Sequence, residues 1–148
     1  MDKSFTSFQE RTEAFSFHDL KIITSQLRDK EHGCPWDLKQ DFHSLKQFLL
    51  NEMQEILDAV DNNDPENLCE EIGDVLFLLF LYSQIASEQG EFDIDQAIDT
   101  VCRKMIRRHP HVFAGTVVES EEEQRELWYA IKRAEKAEKQ VKTGRNSN

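Results

Sequence analysis

The sequence predicts an all-α protein, a four-helix type bundle, and three observations support this fold class. Apolar residues recur at three- and four-residue steps over several long segments, which is the spacing of one face of a helix. Only five glycines and three prolines interrupt the 148 residues, and no run of alternating apolar residues indicates a strand. A chain of this length is most simply one domain with a core of its own.

The first two predicted helices flank the sequence CPWD at residues 34–37. A first helix is expected over residues 17–31, with Gly33 ending it. The second helix begins with Ser44 as its cap and continues to Asn62. Its apolar stripe consists of Leu45, Phe48, Leu49, Met53, Ile56 and Val60.

The third predicted helix starts with Pro65 after a turn and continues to Gln89. Its segment VLFLLFLY, residues 75–82, is apolar all round, so this helix is expected to be buried on several sides. One small bundle offers too little surface to cover this segment. We therefore expect a homodimer or a higher symmetric oligomer.

A fourth helix is expected between Asp93 and Pro110, and a charged, helix-prone stretch covers residues 119–142. The final six residues, TGRNSN, are expected to be disordered. These boundaries predict an N-terminal arm over residues 1–16, one domain over 17–134 and a charged, partly disordered tail over 135–148.

The amino-acid composition argues against two classes of binding partner. The chain has 29 acidic and 18 basic side chains and a net charge of -11, which disfavours binding to nucleic acid polymers or anionic membranes. The sequence has neither a membrane-length apolar stretch nor the charge order of a signal peptide, and its three cysteines are widely spaced. Together these features predict a cytoplasmic protein with reduced thiols.

Two acidic pairs lie on helices that are predicted to face each other. Glu52 and Glu55 are three residues apart, as are Glu71 and Asp74, so each pair projects from one helix face. A short turn joins the two helices, which packs them antiparallel. Four carboxylates there repel unless a cation lies among them, and oxygen ligands select Mg²⁺, Mn²⁺ or Ca²⁺. The alternative for each pair is a solvated helix face. Gly73 indicates a close approach, either of a ligand or of a neighbouring helix.

A basic strip lies near the end of the fourth helix. Lys104, Arg107 and Arg108 are three and four residues apart and share one face. They are interpreted either as cations that complement the helix dipole or as a clamp for phosphate oxygens. His109 and His111 follow, and without a third partner at useful spacing they are interpreted as structural or phosphate-facing.

Four segments, in order and spacing, resemble the MazG family of nucleoside triphosphate pyrophosphohydrolases. They are CPWD, LLNEMQEILDAVD, LCEEIGDVLF and KMIRRHPHVF, and the resemblance extends from His18 to Lys132. It implies an all-α, usually dimeric subunit that hydrolyses nucleoside triphosphates to monophosphate and pyrophosphate with Mg²⁺, for which Mn²⁺ can substitute. The resemblance makes Glu52, Glu55, Glu71 and Asp74 the catalytic metal ligands, and it assigns nucleotide contacts to Lys104, Arg107, Arg108, Trp128 and Lys132.

The sequence departs from the family pattern at Asn51, where the family has the first acid of its EExxE motif. This leaves either Glu55 or Glu70 to orient the attacking water. A catalytically weak or inert helical regulator that keeps the fold is therefore an alternative function. A di-iron carboxylate bundle is a weaker alternative, because such bundles use Glu-x-x-His and this sequence has none.

CPWD itself is interpreted as a packed turn that helps to wall the nucleotide pocket. Pro35 fixes the turn, and Trp36 fills a groove or stacks against the nucleotide. Asp37 is expected to cap the next segment, and Cys34 to be a packed thiol rather than a nucleophile.

Overall fold

The structure is a computed structural model that describes Phe8 and residues 11–145, with side chains up to residue 141. These residues contain helices and no strands, which confirms the all-α fold class. By contacts the chain forms two compact units, an N-terminal unit that ends at Ile94 and a C-terminal unit that begins at Asp95. The helices are α1 (Phe17–Leu27), α2 (Pro35–Leu38), α3 (Leu45–Asp61), α4 (Pro65–Glu88), α5 (Ile94–Arg108), α6 (Pro110–Phe113) and α7 (Glu121–Arg145).

In the N-terminal unit, α4 packs against α3 and α1. Residues 62–64 join α3 to α4, and so short a connection makes the two helices antiparallel. Asn63 takes a left-handed conformation with φ 53°, which asparagine tolerates better than most residues. The Asp64 side chain accepts a hydrogen bond from the backbone N–H of Asn67, and Pro65 occupies the first helical position, as predicted.

The core of this unit lies where α4 meets the start of α3. It consists of Leu45, Leu78, Leu81 and Ile85, with Phe42, Leu49, Phe77 and Tyr82 packed against it. The apolar segment of α4 is buried on more than one side, because Leu78 and Leu81 lie in this core and Phe80 packs against Phe17 of α1. Leu79 is 42% exposed between buried neighbours. On α3, a stripe formed by Leu50, Met53, Leu57 and Val60 is also exposed. The oligomer stays a prediction, for which this stripe provides a candidate surface.

The prediction that the first helix extends to residue 31 is wrong. It ends at Leu27, and the Asp29 side chain then accepts hydrogen bonds from the backbone N–H groups of Glu31 and His32. This local pairing favours a loop over another helical turn. A Cβ atom at Gly33 would collide with the carbonyl oxygens of Leu27 and Asp29. The glycine therefore permits a tight return of the chain rather than ending the helix.

The prediction that Ser44 caps the second helix is wrong in its chemistry, although the helix does begin at Leu45. The Ser44 hydroxyl accepts a hydrogen bond from the backbone N–H of Asp41 and donates one to Gln40. The Asp41 carboxylate instead accepts from the backbone N–H groups of His43 and Ser44. The bond from Ser44 is the main reason that the pKa of Asp41 lies below its ordinary value.

In the C-terminal unit, α5 ends at Arg108, close before Pro110 as predicted. Helix α7 continues to Arg145, so the prediction of disorder from residue 143 is wrong for residues 143–145. Residues 146–148 lie outside the described part. In neither unit is a described helix both long enough and apolar enough to span a membrane.

Candidate active site

Three of the four predicted acidic ligands converge in the N-terminal unit. Glu52 and Glu55 lie on α3 and Glu71 on α4, and one carboxylate oxygen from each lies within 4.8 Å of the other two. We call these three residues the acidic cluster. Glu71 is only 6% exposed, and its Oε2 has no hydrogen-bond partner among the described residues. A buried carboxylate oxygen without a donor is costly, so this atom points to an absent ligand.

The electrostatics of the acidic cluster favour a positive ligand. Burial, followed by the charges of Glu55 and Asp74, raises the pKa of Glu71. Burial and the same two charges also raise the pKa of Glu52, against a hydrogen bond from Glu71 that lowers it. A divalent cation would remove this repulsion, and all-carboxylate ligands suit Mg²⁺ or Mn²⁺.

Two further acids lie beside the cluster. Asp74 is exposed and is not one of the three residues whose oxygens converge, although its charge raises the pKa of both Glu52 and Glu71. Its role as a ligand stays a prediction. Glu70 is exposed, and its charge also contributes to the raised pKa of Glu71.

Asn51 and Gly73, the two unusual positions next to the predicted metal ligands, are both exposed. The side-chain oxygen of Asn51 accepts a hydrogen bond from Gln47 one turn earlier on α3. At Gly73, no described atom outside its chain neighbours and the backbone of its own helix lies within 4 Å of where a Cβ would be. Of the two explanations for Gly73, close packing of a neighbouring helix is therefore wrong for the described residues, and the approach of a ligand stays a prediction.

The segment CPWD starts the short helix α2, with Cys34 as the residue before it and Pro35 at its first position. The Trp36 ring is 42% exposed and packs edge-on against Phe48, with ring centroids 5.3 Å apart. Asp37 is buried, and its Oδ1 has no hydrogen-bond partner within the described chain. It does not cap the next long helix, since Asp41 provides the carboxylate before α3. The cap predicted for Asp37 is therefore wrong.

The basic strip of the C-terminal unit is paired with a carboxylate that the sequence analysis missed. Arg107 and Arg108 at the end of α5 both form ion pairs with Glu135 on α7, at 2.7 and 2.8 Å. Hydrogen bonds from Arg108 and then Arg107 hold the pKa of Glu135 at about 2. Lys104 lies half-buried one turn earlier on α5.

Trp128 carries two cations on its ring. The Nζ atom of Lys132 lies 4.2 Å from the ring centroid, and the Cζ atom of Arg108 lies 5.5 Å from it. Cations over an indole ring are attracted by its π-electrons. Trp128, Lys132, Arg107, Arg108 and Glu135 are therefore linked, and we call them the cationic cluster.

A cavity of about 250 Å³ adjoins this cluster in the C-terminal unit. It is lined by His109, Gln124, Arg125, Trp128 and Tyr129. The Nδ1 atom of His109 lies 2.6 Å from the Met105 carbonyl oxygen, which makes Nδ1 the protonated nitrogen and leaves Nε2 for another partner. Sequence spacing alone gave no signal for Gln124 or Tyr129. For Glu135 the sequence did contain a signal. Trp128, Lys132 and Glu135 are four and three residues apart, so a helix there places all three side chains on one face.

The fold and the acidic cluster define a helical protein with a candidate site for a divalent cation. Residues 40–113 match the MazG nucleotide pyrophosphohydrolase domain. The chain belongs to this family.

Several relatives align with most of this chain. A nucleoside triphosphate pyrophosphohydrolase of Escherichia coli is 42% identical over 120 residues, which are 81% of this chain and 46% of that protein. The uncharacterized protein YabN of Bacillus subtilis is 41% identical over 85% of this chain and 26% of its own length. This chain therefore spans less than half the length of these two relatives.

A solved structure shares the fold. The crystal structure of a mazG-related protein from Thermotoga maritima matches with a TM-score of 0.65 and 34% identity. The match covers 78% of this chain and 98% of the other.

Proposed function

We propose that this protein hydrolyses nucleoside triphosphates to nucleoside monophosphate and pyrophosphate in a Mg²⁺-dependent reaction. The observation that carries the proposal is the convergence of Glu52, Glu55 and Glu71, with a buried oxygen of Glu71 that lacks a partner in the described chain. The family match supports the reaction class, and relatives of the same family are named nucleoside triphosphate pyrophosphohydrolases.

The acidic cluster fits the metal. Its three carboxylates are hard oxygen ligands, and the cluster contains no histidine or cysteine that would favour a softer metal. Glu52, Glu55 and Glu71 would hold the ion, with Asp74 as a fourth proposed ligand. When bound, Mg²⁺ or Mn²⁺ neutralises phosphate charge and lowers the pKa of a coordinated water.

The side chains around the cluster have separate proposed roles. Glu70 is exposed, close enough to raise the pKa of Glu71, and outside the group of converging oxygens. We assign it the orientation of the attacking water and the acceptance of its proton, which leaves Glu55 as a ligand. Trp36, half-exposed on α2, contacts the nucleoside.

The cationic cluster, together with Lys104 on α5, provides charge stabilisation. Lys104, Arg107, Arg108 and Lys132 neutralise the phosphate charge of the bound triphosphate and of the departing pyrophosphate, and guanidinium groups can do so through paired hydrogen bonds. Trp128 orients two of these cations and contributes one wall of the adjoining cavity. The proposed assembly is a homodimer or higher symmetric oligomer, and the proposed compartment is the cytoplasm.

An inert regulator is the alternative, favoured by Asn51 in place of the family's acid. A pyrophosphate-release assay with a panel of nucleoside triphosphates and Mg²⁺ separates the two. We expect release by the parent protein and loss of release in Glu71→Gln. Asp61→Asn, which removes an exposed charge at the end of α3, is the matched control. No release by a folded parent protein with any of the triphosphates would favour the regulator.

A further inference from the structure

We propose that Glu135 is a positioning residue that aims Arg107 and Arg108 at the phosphate oxygens of the substrate. The inference rests on the proposed function and adds to it a carboxylate that the family resemblance did not assign. Glu135 acts through the two arginines and need not contact the substrate.

The geometry of the contact leaves donors available. Arg107 uses Nε and Nη2, both 2.7 Å from Oε1 of Glu135. Arg108 uses the same two nitrogens, at 3.2 and 2.8 Å from Oε2. The Glu135 carboxylate thus pairs with the same edge of both guanidinium groups, the edge formed by Nε and Nη2. The Nη1 atom of each arginine takes no part in these ion pairs, and it lies on the side directed away from Glu135.

Burial indicates that Glu135 stays in place when an anion binds. The side chains of Arg108 and Glu135 are 16% and 15% exposed, whereas that of Arg107 is 54% exposed. Displacing Glu135 from both arginines would leave a largely buried carboxylate without its counterions, which is strongly unfavourable. The carboxylate is therefore a fixed support, and Arg107 is the accessible donor.

The charge balance also requires this support. Arg107 and Arg108 are adjacent in sequence, and their two positive groups would repel and turn apart without the shared carboxylate. With Glu135 between them the three groups keep one net positive charge. Arg108 is further held by the Trp128 ring, which also carries Lys132. Held in this way, the arginines have less conformational freedom to lose when phosphate binds.

The test compares Glu135→Gln with the parent protein and with Glu138→Gln. Glu138 is exposed one turn later on α7, so the control removes the same charge from the same helix.

Binding of inorganic pyrophosphate with Mg²⁺ is measured by calorimetry, and KM and kcat are measured for a triphosphate that the parent hydrolyses. For Glu135→Gln we expect KM and the Kd for pyrophosphate to rise about tenfold, the equivalent of one charged hydrogen bond, with a smaller change in kcat. Glu138→Gln should match the parent, and Glu135→Asp should recover part of the loss.

Three results would overturn the inference. Tighter pyrophosphate binding by Glu135→Gln would show that Glu135 competes with phosphate. A lower Tm with unchanged KM and Kd would show a structural brace only. A parent protein that binds neither pyrophosphate nor triphosphate would remove the inference together with the proposed function. If the parent binds pyrophosphate but hydrolyses no triphosphate, the proposed function fails alone, and the binding comparison still decides the role of Glu135.

Discussion

A carboxylate oxygen of Glu52 lies within 4.8 Å of one of Glu71, although Glu52 is on α3 and Glu71 on α4. The two carboxylates repel each other, and the charge of Glu52 is one of the causes that raise the pKa of Glu71. Burial and the charges of Glu55 and Asp74 raise the pKa of both residues, which favours their protonated forms. A proton and a metal cation therefore compete for the same oxygen atoms.

The first prediction concerns stability against pH without metal. Because the folded-state pKa of Glu71 is raised above its ordinary 4.5, folding is favoured while the group is protonated. This contribution is fully present below the ordinary pKa and is lost as pH rises through the higher folded-state pKa. In EDTA, the parent should therefore lose more stability than Glu71→Gln over that interval, as measured by urea unfolding at successive pH values. Parallel curves for the two proteins would contradict the prediction.

The second prediction concerns metal removal. We expect EDTA to abolish pyrophosphate release, and Mg²⁺ or Mn²⁺ to restore it. The same metals should raise the Tm of the parent, because a ligand that binds only the folded state stabilises it. The increase should be much smaller in Glu71→Gln and undiminished in Asp61→Asn. Full turnover by EDTA-treated protein would exclude the metal mechanism.

The third prediction concerns Gly73, which lies between two proposed ligands in open space. Alanine is favoured over glycine in a helix interior by about 1 kcal/mol, so Gly73→Ala should raise the Tm of the metal-free protein. If substrate passes close to this backbone, the same variant should have a raised KM. A raised Tm with unchanged KM would show that the glycine has no role in binding.

The sequence predicted the bounds of the helices more accurately than the contacts between side chains. The bounds of α3 and α4 followed from the apolar period and from Pro65, because burial of one face dominates their formation. The end of α1 could not be predicted from the apolar period, because the side chain of Asp29 accepts local hydrogen bonds from the backbone of Glu31 and His32. Convergence of Glu52, Glu55 and Glu71 was predictable because spacing and a short turn fix it. The spacing of Glu135 from Trp128 and Lys132 places it on their helix face. Its pairing with Arg107 and Arg108 joins two helices that are distant in sequence, and no local pattern identifies these partners.

The fourth prediction concerns assembly. Leu50, Met53, Leu57 and Val60 recur on α3 at steps of three and four and are all at least half exposed. A repeat of this kind suits packing against another helix, so we expect light scattering to give a multiple of 17.4 kDa. Leu57→Glu should shift the mass toward the monomer, whereas Lys46→Glu, an exposed change at the start of α3, should not. A monomer at micromolar concentration would contradict this.

The last prediction concerns Asp74, whose charge acts on Glu52 and Glu71 but whose oxygens do not converge with theirs. If Asp74 is a ligand, Asp74→Asn relieves repulsion in the metal-free protein, so its Tm should be unchanged or slightly raised while pyrophosphate release collapses. Mg²⁺ should then raise the Tm of the variant much less than that of the parent. Tm and pyrophosphate release are measured with and without Mg²⁺, with Asp61→Asn as the control. If Asp74→Asn kept both its turnover and its Mg²⁺ shift, the metal site would consist of Glu52, Glu55 and Glu71 without Asp74.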